Sequence, residues 1–424
     1  MRRWMIILLA IGALGLLPVG CVGVLLPAAP ARVEGPPPEP PLFDGTPWET
    51  RREALLALFQ SEVYGILPPP LPARLIERRT IAAGAFEGRA SAEEIRLAVP
   101  IGAQSRPVDI VLVLPMAGSA PHPVIVMESF CGNAAAVGFL PGVSPPLGSL
   151  PGPCEGPGWA DPIARAVFGA HIMAPPYGSI LEAGYAIAHV DPFGLVPDDA
   201  QAGPLALAAL DLPGPERSRA GALALWAFAV SRALDHLGTD DRLDPSRIAV
   251  FGHSRYGKAA LLAAATDPRI ASVIAHQSGT GGASLSRANG GESVADITQS
   301  YPYWFAPAFA DYAGREEALP VDQHMLLALI APRRIFLGNA RRDFWADPPG
   351  TFRAARGADP AYERLGSVGL DQSDLLTPDF DADIAFFMRG GWHGISAADW
   401  RAFLAFLGAD RPASGPLPVA APSR

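Results

Sequence analysis

Two hydrophobic periods alternate along the middle of this chain. Short, nearly unbroken apolar runs predict buried strands: "PVDIVLVLP" (Pro107–Pro115), "PVIVMES" (Pro123–Ser129), "GYAIAHVD" (Gly184–Asp191), "RIAVFG" (Arg247–Gly252), "ASVIAHQS" (Ala271–Ser278) and "RRIFLGNA" (Arg333–Ala340). Helical segments lie between and around them. "AGALALWAFAVSRALDHLG" (Ala220–Gly238) is apolar on nearly all sides, as a helix packed on a sheet would be. "YGKAALLAAATD" follows "RIAVFG", and "AADWRAFLAFLG" (Ala397–Gly408) closes the body. Ahead of these, "WETRREALLALFQSEVYG" has apolar residues at helical spacing from Trp48 to Tyr64 and stops at Gly65 and Pro68. Buried strands alternating with helices predict an α/β fold with a mainly parallel sheet covered on both faces.

The first residues follow a different pattern. Arg2 and Arg3 precede an apolar run from Trp4 to about Leu26, and Ala29-Pro30-Ala31 supplies an A-x-A cleavage pattern. Residues 1–31 therefore read as a signal peptide or N-terminal anchor. Cys21, in "LPVGC", resembles a lipoprotein box with Pro18 in place of the usual leucine, which makes lipid anchoring the alternative to cleavage. Both routes predict a periplasmic or secreted working domain, with membrane contact through the N-terminal segment alone. The proline-rich stretch that follows predicts an extended spacer over residues 32–45, ahead of a catalytic body over 46–410 and a flexible tail over 411–424.

Composition narrows the function class. The 424 residues are 49% hydrophobic and 18% charged, enough for a large core. A net charge of -9 without blocks of like charge argues against a nucleic-acid partner. A monomer is expected. Beyond the targeting segment only Cys131 and Cys154 remain, a candidate disulfide in an oxidising compartment.

The candidate chemistry centres on "FGHSRYGK". Strand, turn and helix would place Ser254 at a nucleophile elbow, although the second glycine comes one position later than in G-x-S-x-G. A helix N-cap is the competing role. A serine hydroxyl needs a base, and on this fold the order is serine, acid, histidine. His276, inside the strand "ASVIAHQS", His324 and His393 follow Ser254. His324 opens an apolar helical stretch and reads as structural, whereas His393, in "RGGWHGIS", lies in a loop before the last helix. Asp343, three residues past the strand "RRIFLGNA", is the candidate acid, and Asp347, before Pro348, reads as a turn former.

The segments "GHSRYGK", "SGTGGASLSR", "LPVDQHMLLALIAPR", "DFWADP" and "RGGWH", together with "VYGILP" and "PYWFAPAF", occur in the order found in bacterial glucuronoyl esterases (carbohydrate esterase family 15), and the sequence resembles that family from about Trp48 to Leu407. The resemblance implies a three-layer α/β-hydrolase fold without metal or cofactor. It also implies hydrolysis of the ester between 4-O-methyl-glucuronate of glucuronoxylan and a lignin alcohol. By motif, Ser254 matches the nucleophile, His393 the base, Asp343 the acid and Arg255 the oxyanion-stabilising arginine. Lys258, Glu292 and Trp345 match sugar-holding positions. Where some members, the fungal ones especially, carry an acidic glutamate, this chain has Gln277, which cannot stabilise an imidazolium by charge and is a candidate substrate-binding residue instead. Two alternatives remain open at this stage: another extracytoplasmic carboxylesterase such as an acetyl-xylan esterase, and a catalytically silent carbohydrate-binding homologue.

Overall fold

The strands join into one sheet in the computed structural model, which describes residues 28–32, 40–138, 140, 142–148, 154, 165 and 167–408. Among these residues the strands are β1 (Arg74–Gly84), β2 (Ala90–Ile101), β3 (Gln104–Pro115), β4 (His122–Glu128), β5 (Ala186–Asp191), β6 (Leu243–His253), β7 (Ser272–His276), β8 (Arg334–Ala340) and β9 (Ile384–Arg389). Their spatial order is β1-β2-β3-β5-β4-β6-β7-β8-β9. The β1-β2, β2-β3 and β3-β5 pairs are antiparallel, and every later neighbour is parallel. All carboxyl ends of the parallel strands therefore open on one rim, where ligands bind on sheets of this kind.

Each buried strand feeds two cores by alternation. In β6, Ile248 and Val250 join one hydrophobic cluster, and Ala249 and Phe251 join the other. The first cluster packs against α1 (Trp48–Phe59), α2 (Ala222–Leu237), α3 (Arg255–Thr266) and α4 (Pro348–Arg364); the second packs against α5 (Ala397–Gly408) through Trp400, Phe403 and Phe406. This is the three-layer α/β-hydrolase arrangement.

Three differences from the sequence expectation have physical causes. The helix from Trp48 widens into a π turn over Gln60–Tyr64, where the Tyr64 hydroxyl donates to Gly281 O at 3.0 Å. The first strand of the β1-β2 hairpin lacks the unbroken apolar run of a buried strand, because β1 is an edge on which even Leu75 and Ile76 stay exposed among charged residues. The helix α4 was not expected; it begins on Pro348 and Pro349, tolerated in a first turn where the N–H groups have no partner, and runs on through an interior Pro360.

The end of the predicted targeting segment and the described carboxyl-terminal part of the expected spacer are both docked on the body. Ala29 N donates to Arg341 O at 2.7 Å, Arg341 Nε donates to Ala29 O at 3.3 Å, and Leu375 N donates to Ala31 O at 3.1 Å. Further along, Arg51 collects the Leu42 and Pro41 carbonyls and the Asp44 carboxylate, and His324 Nε2 lies 3.0 Å from Pro40 O. Proline-rich backbone offers carbonyls without matching N–H donors, so side chains of the body satisfy them. The body thus includes the residues from Pro40 onward. Residues 1–27 of the predicted targeting segment, Cys21 among them, residues 33–39 and the tail lie outside the described residues. No helix among the described residues is long and apolar enough to cross a membrane.

Cys131 and Cys154 form a disulfide, with Cα atoms 5.4 Å apart. Closing a loop of this size contributes roughly 3 kcal/mol by the chain-entropy account. The bridge fastens the segment that carries Phe130, whose ring packs against Tyr256 at 5.1 Å.

Candidate active site

Strand β6 hands directly over to α3 at Ser254, whose φ of 56° and ψ of −122° place it in a region that side chains rarely adopt. Such a conformation costs about 1–3 kcal/mol and persists where surrounding structure enforces it. Gly252 and Gly257 make room for it. A Cβ on Gly252 would sit 2.0 Å from Tyr256 O, and one on Gly257 would meet Gly252 O and Ser278 Cβ at 3.0 Å. The later second glycine is thus the residue that lets helix and strand cross closely. Ser254 occupies the N-cap position of α3 but its hydroxyl makes no capping bond. Its N–H donates to His276 O at 2.8 Å, tying the elbow to β7.

His393 stands in the loop between β9 and α5, and Asp343 in the loop after β8. The His393 Nδ1–Asp343 Oδ2 distance is 2.7 Å. Asp343 is 2% exposed, and its Oδ1 makes no hydrogen bond among the described residues. A carboxylate at Nδ1 holds the neutral imidazole with its proton there and leaves the Nε2 lone pair for base work. The His393 ring lies 4.6 Å from that of His253, the residue before Ser254. No hydrogen bond joins the Ser254 hydroxyl to His393 among the described residues. Bonds of this type tighten when substrate fills the site.

Arg255 opens α3, so its backbone N–H has no carbonyl four residues back to bond. Its guanidinium is seated by a residue the sequence did not single out. Nη1 donates to Asp198 Oδ2 at 2.5 Å, and the Asp198 side chain, fully buried, also accepts from the Tyr303 hydroxyl at 2.8 Å and Trp304 Nε1 at 3.3 Å. The same guanidinium lies 4.6 Å from the centre of the Trp304 ring, which stacks on Tyr301 at 3.8 Å. Its Nε is buried and makes no hydrogen bond among the described residues. The cation is therefore fixed from behind by charge and from the side by a π face.

Lys258, one turn along α3, is buried and donates to Ser278 O and Thr280 O at 2.5 and 2.6 Å. Two of its three protons are used in this way. Burial pulls its ammonium down to about 8, partly offset by Glu292. Burial also raises the Glu292 carboxyl, and Lys258 partly offsets that. Glu292 N donates to Trp345 O at 3.2 Å, so the two residues share one corner of the site. Trp345 is 57% exposed and stacks on Phe344 at 5.7 Å, which leaves an aromatic face open at the rim. Gln277 is buried, with both polar side-chain atoms on the His393 loop: Oε1 accepts from Gly394 N at 2.7 Å and Nε2 donates to Trp392 O at 3.2 Å. The structure also settles the residues set aside. Asp347 caps α4 through Gly350 N, and His324 meets backbone at Pro40.

A family model described as glucuronyl esterase, fungi, matches residues 213–366, the segment from before β6 through α4. A carbohydrate esterase from an unknown prokaryotic organism is 45% identical over 194 residues, which span 45% of this chain and 45% of that protein. A 4-O-methyl-glucuronoyl methylesterase of Podospora anserina is 38% identical over 168 residues, 37% of this chain and 35% of that protein. The matched stretches thus span less than half the length of these curated relatives. The solved glucuronoyl esterase from Solibacter usitatus is similar over far more: 32% identity, 91% of this chain, 97% of that one, and a TM-score of 0.74. By this similarity, which covers 91% of the chain, the chain belongs to the glucuronoyl esterase family, carbohydrate esterase family 15.

Proposed function

We propose that this protein is a serine carboxylic-ester hydrolase that cleaves the ester between 4-O-methyl-D-glucuronate of glucuronoxylan and a lignin alcohol. The observation that carries the reading is the Asp343–His393 pair at 2.7 Å, with its ring beside an elbow serine that is followed by an anchored arginine. His393 Nε2 takes the Ser254 proton as Oγ attacks the ester carbonyl, and Asp343 stabilises the imidazolium that forms. The tetrahedral oxyanion meets the Arg255 guanidinium and the free N–H groups at the start of α3. His393 then protonates the departing alcohol. Water, deprotonated by the same histidine, releases the uronic acid from Ser254.

The polar neighbours favour a uronate. Lys258 keeps one proton free for a sugar hydroxyl, Glu292 can accept from another, and Trp345 offers a flat face to a pyranose ring. The fungal relatives bear the name 4-O-methyl-glucuronoyl methylesterase, which points to the same acid component. A polymeric plant-wall substrate and the N-terminal targeting pattern both suit a periplasmic or secreted enzyme. The test is a substrate panel: benzyl glucuronate, acetylated xylan and p-nitrophenyl acetate. The benzyl ester is expected to have a kcat/KM at least about tenfold above the acetates, within what a few polar contacts can discriminate. Rapid deacetylation of xylan without action on the benzyl ester would assign an acetyl-xylan esterase instead.

A further inference from the structure

Gln277 lies in a left-handed conformation, φ 50°, directly after β7. A non-glycine residue holds that conformation where its contacts enforce it. Its amide touches the backbone on both sides of His393, accepting from Gly394 N at 2.7 Å and donating to Trp392 O at 3.2 Å. From the other side, Arg389 Nη2 donates to Trp392 O at 3.1 Å and Gly394 O at 2.6 Å. Arg389 Nε in turn donates to Asp399 at 2.6 Å; Asp399 lies 3.2 Å from His276 Nε2, and His276 Nδ1 lies 2.9 Å from His253 Nδ1. The chain of contacts thus returns to the His253 ring, 4.6 Å from that of His393.

From this we infer that Gln277 is a positioning residue for the reaction, a neutral clamp that fixes the loop presenting His393 to Ser254. The two flanks of His393 demand opposite chemistry, an acceptor for Gly394 N–H and a donor for Trp392 C=O. An uncharged primary amide satisfies both at once, whereas a carboxylate would set one oxygen against the Trp392 carbonyl. The amide therefore fits a chain whose imidazole takes its negative partner from Asp343. The inference rests on His393 acting as the base in the proposed ester hydrolysis.

Its test uses Gln277→Met, which keeps volume and removes both hydrogen bonds, and Gln277→Glu, which keeps shape and loses the donor. Both are assayed on benzyl glucuronate and on p-nitrophenyl acetate. Each variant is expected to lose about 10–100-fold in kcat on both esters, with KM within about twofold and cooperative unfolding retained. The acetate has no sugar, so a loss there reports on the histidine. It also separates the clamp from the choice of substrate: should the wild type spare the uronate yet cleave the acetate, the same comparison still applies. Unchanged kcat in Gln277→Met would overturn the clamp. So would a loss confined to the uronate and carried by KM, which would make Gln277 a sugar contact.

Discussion

Replacing Asp343 with asparagine is expected to lower kcat on the uronate ester by about 10³–10⁴-fold, with KM little changed. The amide can occupy the same volume, but it can present its NH₂ to Nδ1 and so favour the tautomer with the proton on Nε2, which cannot accept from Ser254. It also removes the negative charge that the imidazolium needs. Asp343 is nearly enclosed, so no solvent ion replaces it. Gln277 offers no rescue, because its polar atoms already serve Gly394 and Trp392. Steady-state kinetics beside a thermal melt decide the matter. A folded Asp343→Asn protein within tenfold of wild type would remove Asp343 from the mechanism.

Removing the cation behind the serine has the second large effect. Arg255→Ala is expected to reduce kcat by about 10²–10³-fold, the range of a single oxyanion donor in other acyl-transfer sites. The effect belongs to kcat because the negative charge it answers develops during reaction. Arg255→Lys should recover little. The seat is built for a planar fork, with Asp198 taking one nitrogen and Trp304 lying against the plane, and an ammonium matches neither contact. Kinetics of both variants across benzyl glucuronate concentrations test this. A pure KM effect for Arg255→Ala would make the arginine a ground-state binder.

How much of this was legible in the residues can be argued position by position. The parallel strands β4 to β8 were, because strands buried on both faces must be apolar without alternation, whereas β9 was not read although it is as apolar. Ser254 and Asp343 each follow a strand whose end is visible as a fall in hydrophobicity, while His393 was reached through its loop and the following helix. The edge strand β1 was not legible, since an exposed edge mixes apolar residues such as Leu75 and Ile76 with charged ones. Asp198 was missed because its partner lies 57 positions away and nothing local marks it. The clamp by Gln277 spans 115 and 117 positions and ends on backbone atoms, which residue identity does not encode. The docking of Ala29 on Arg341, 312 positions apart, and of the Pro40 carbonyl on His324, 284 positions apart, is hidden for the same reason, so part of the stretch read as a spacer lies against the body.

The most direct measurement of the central claim is turnover of benzyl glucuronate by Ser254→Ala, with folding verified in the same preparation. If an acyl group must pass through that hydroxyl, activity falls by at least about 10⁴-fold while the melting temperature stays near that of wild type, since alanine keeps the Cβ and the hydroxyl makes no capping bond. A folded Ser254→Ala protein that retains a tenth or more of the wild-type rate would contradict the account.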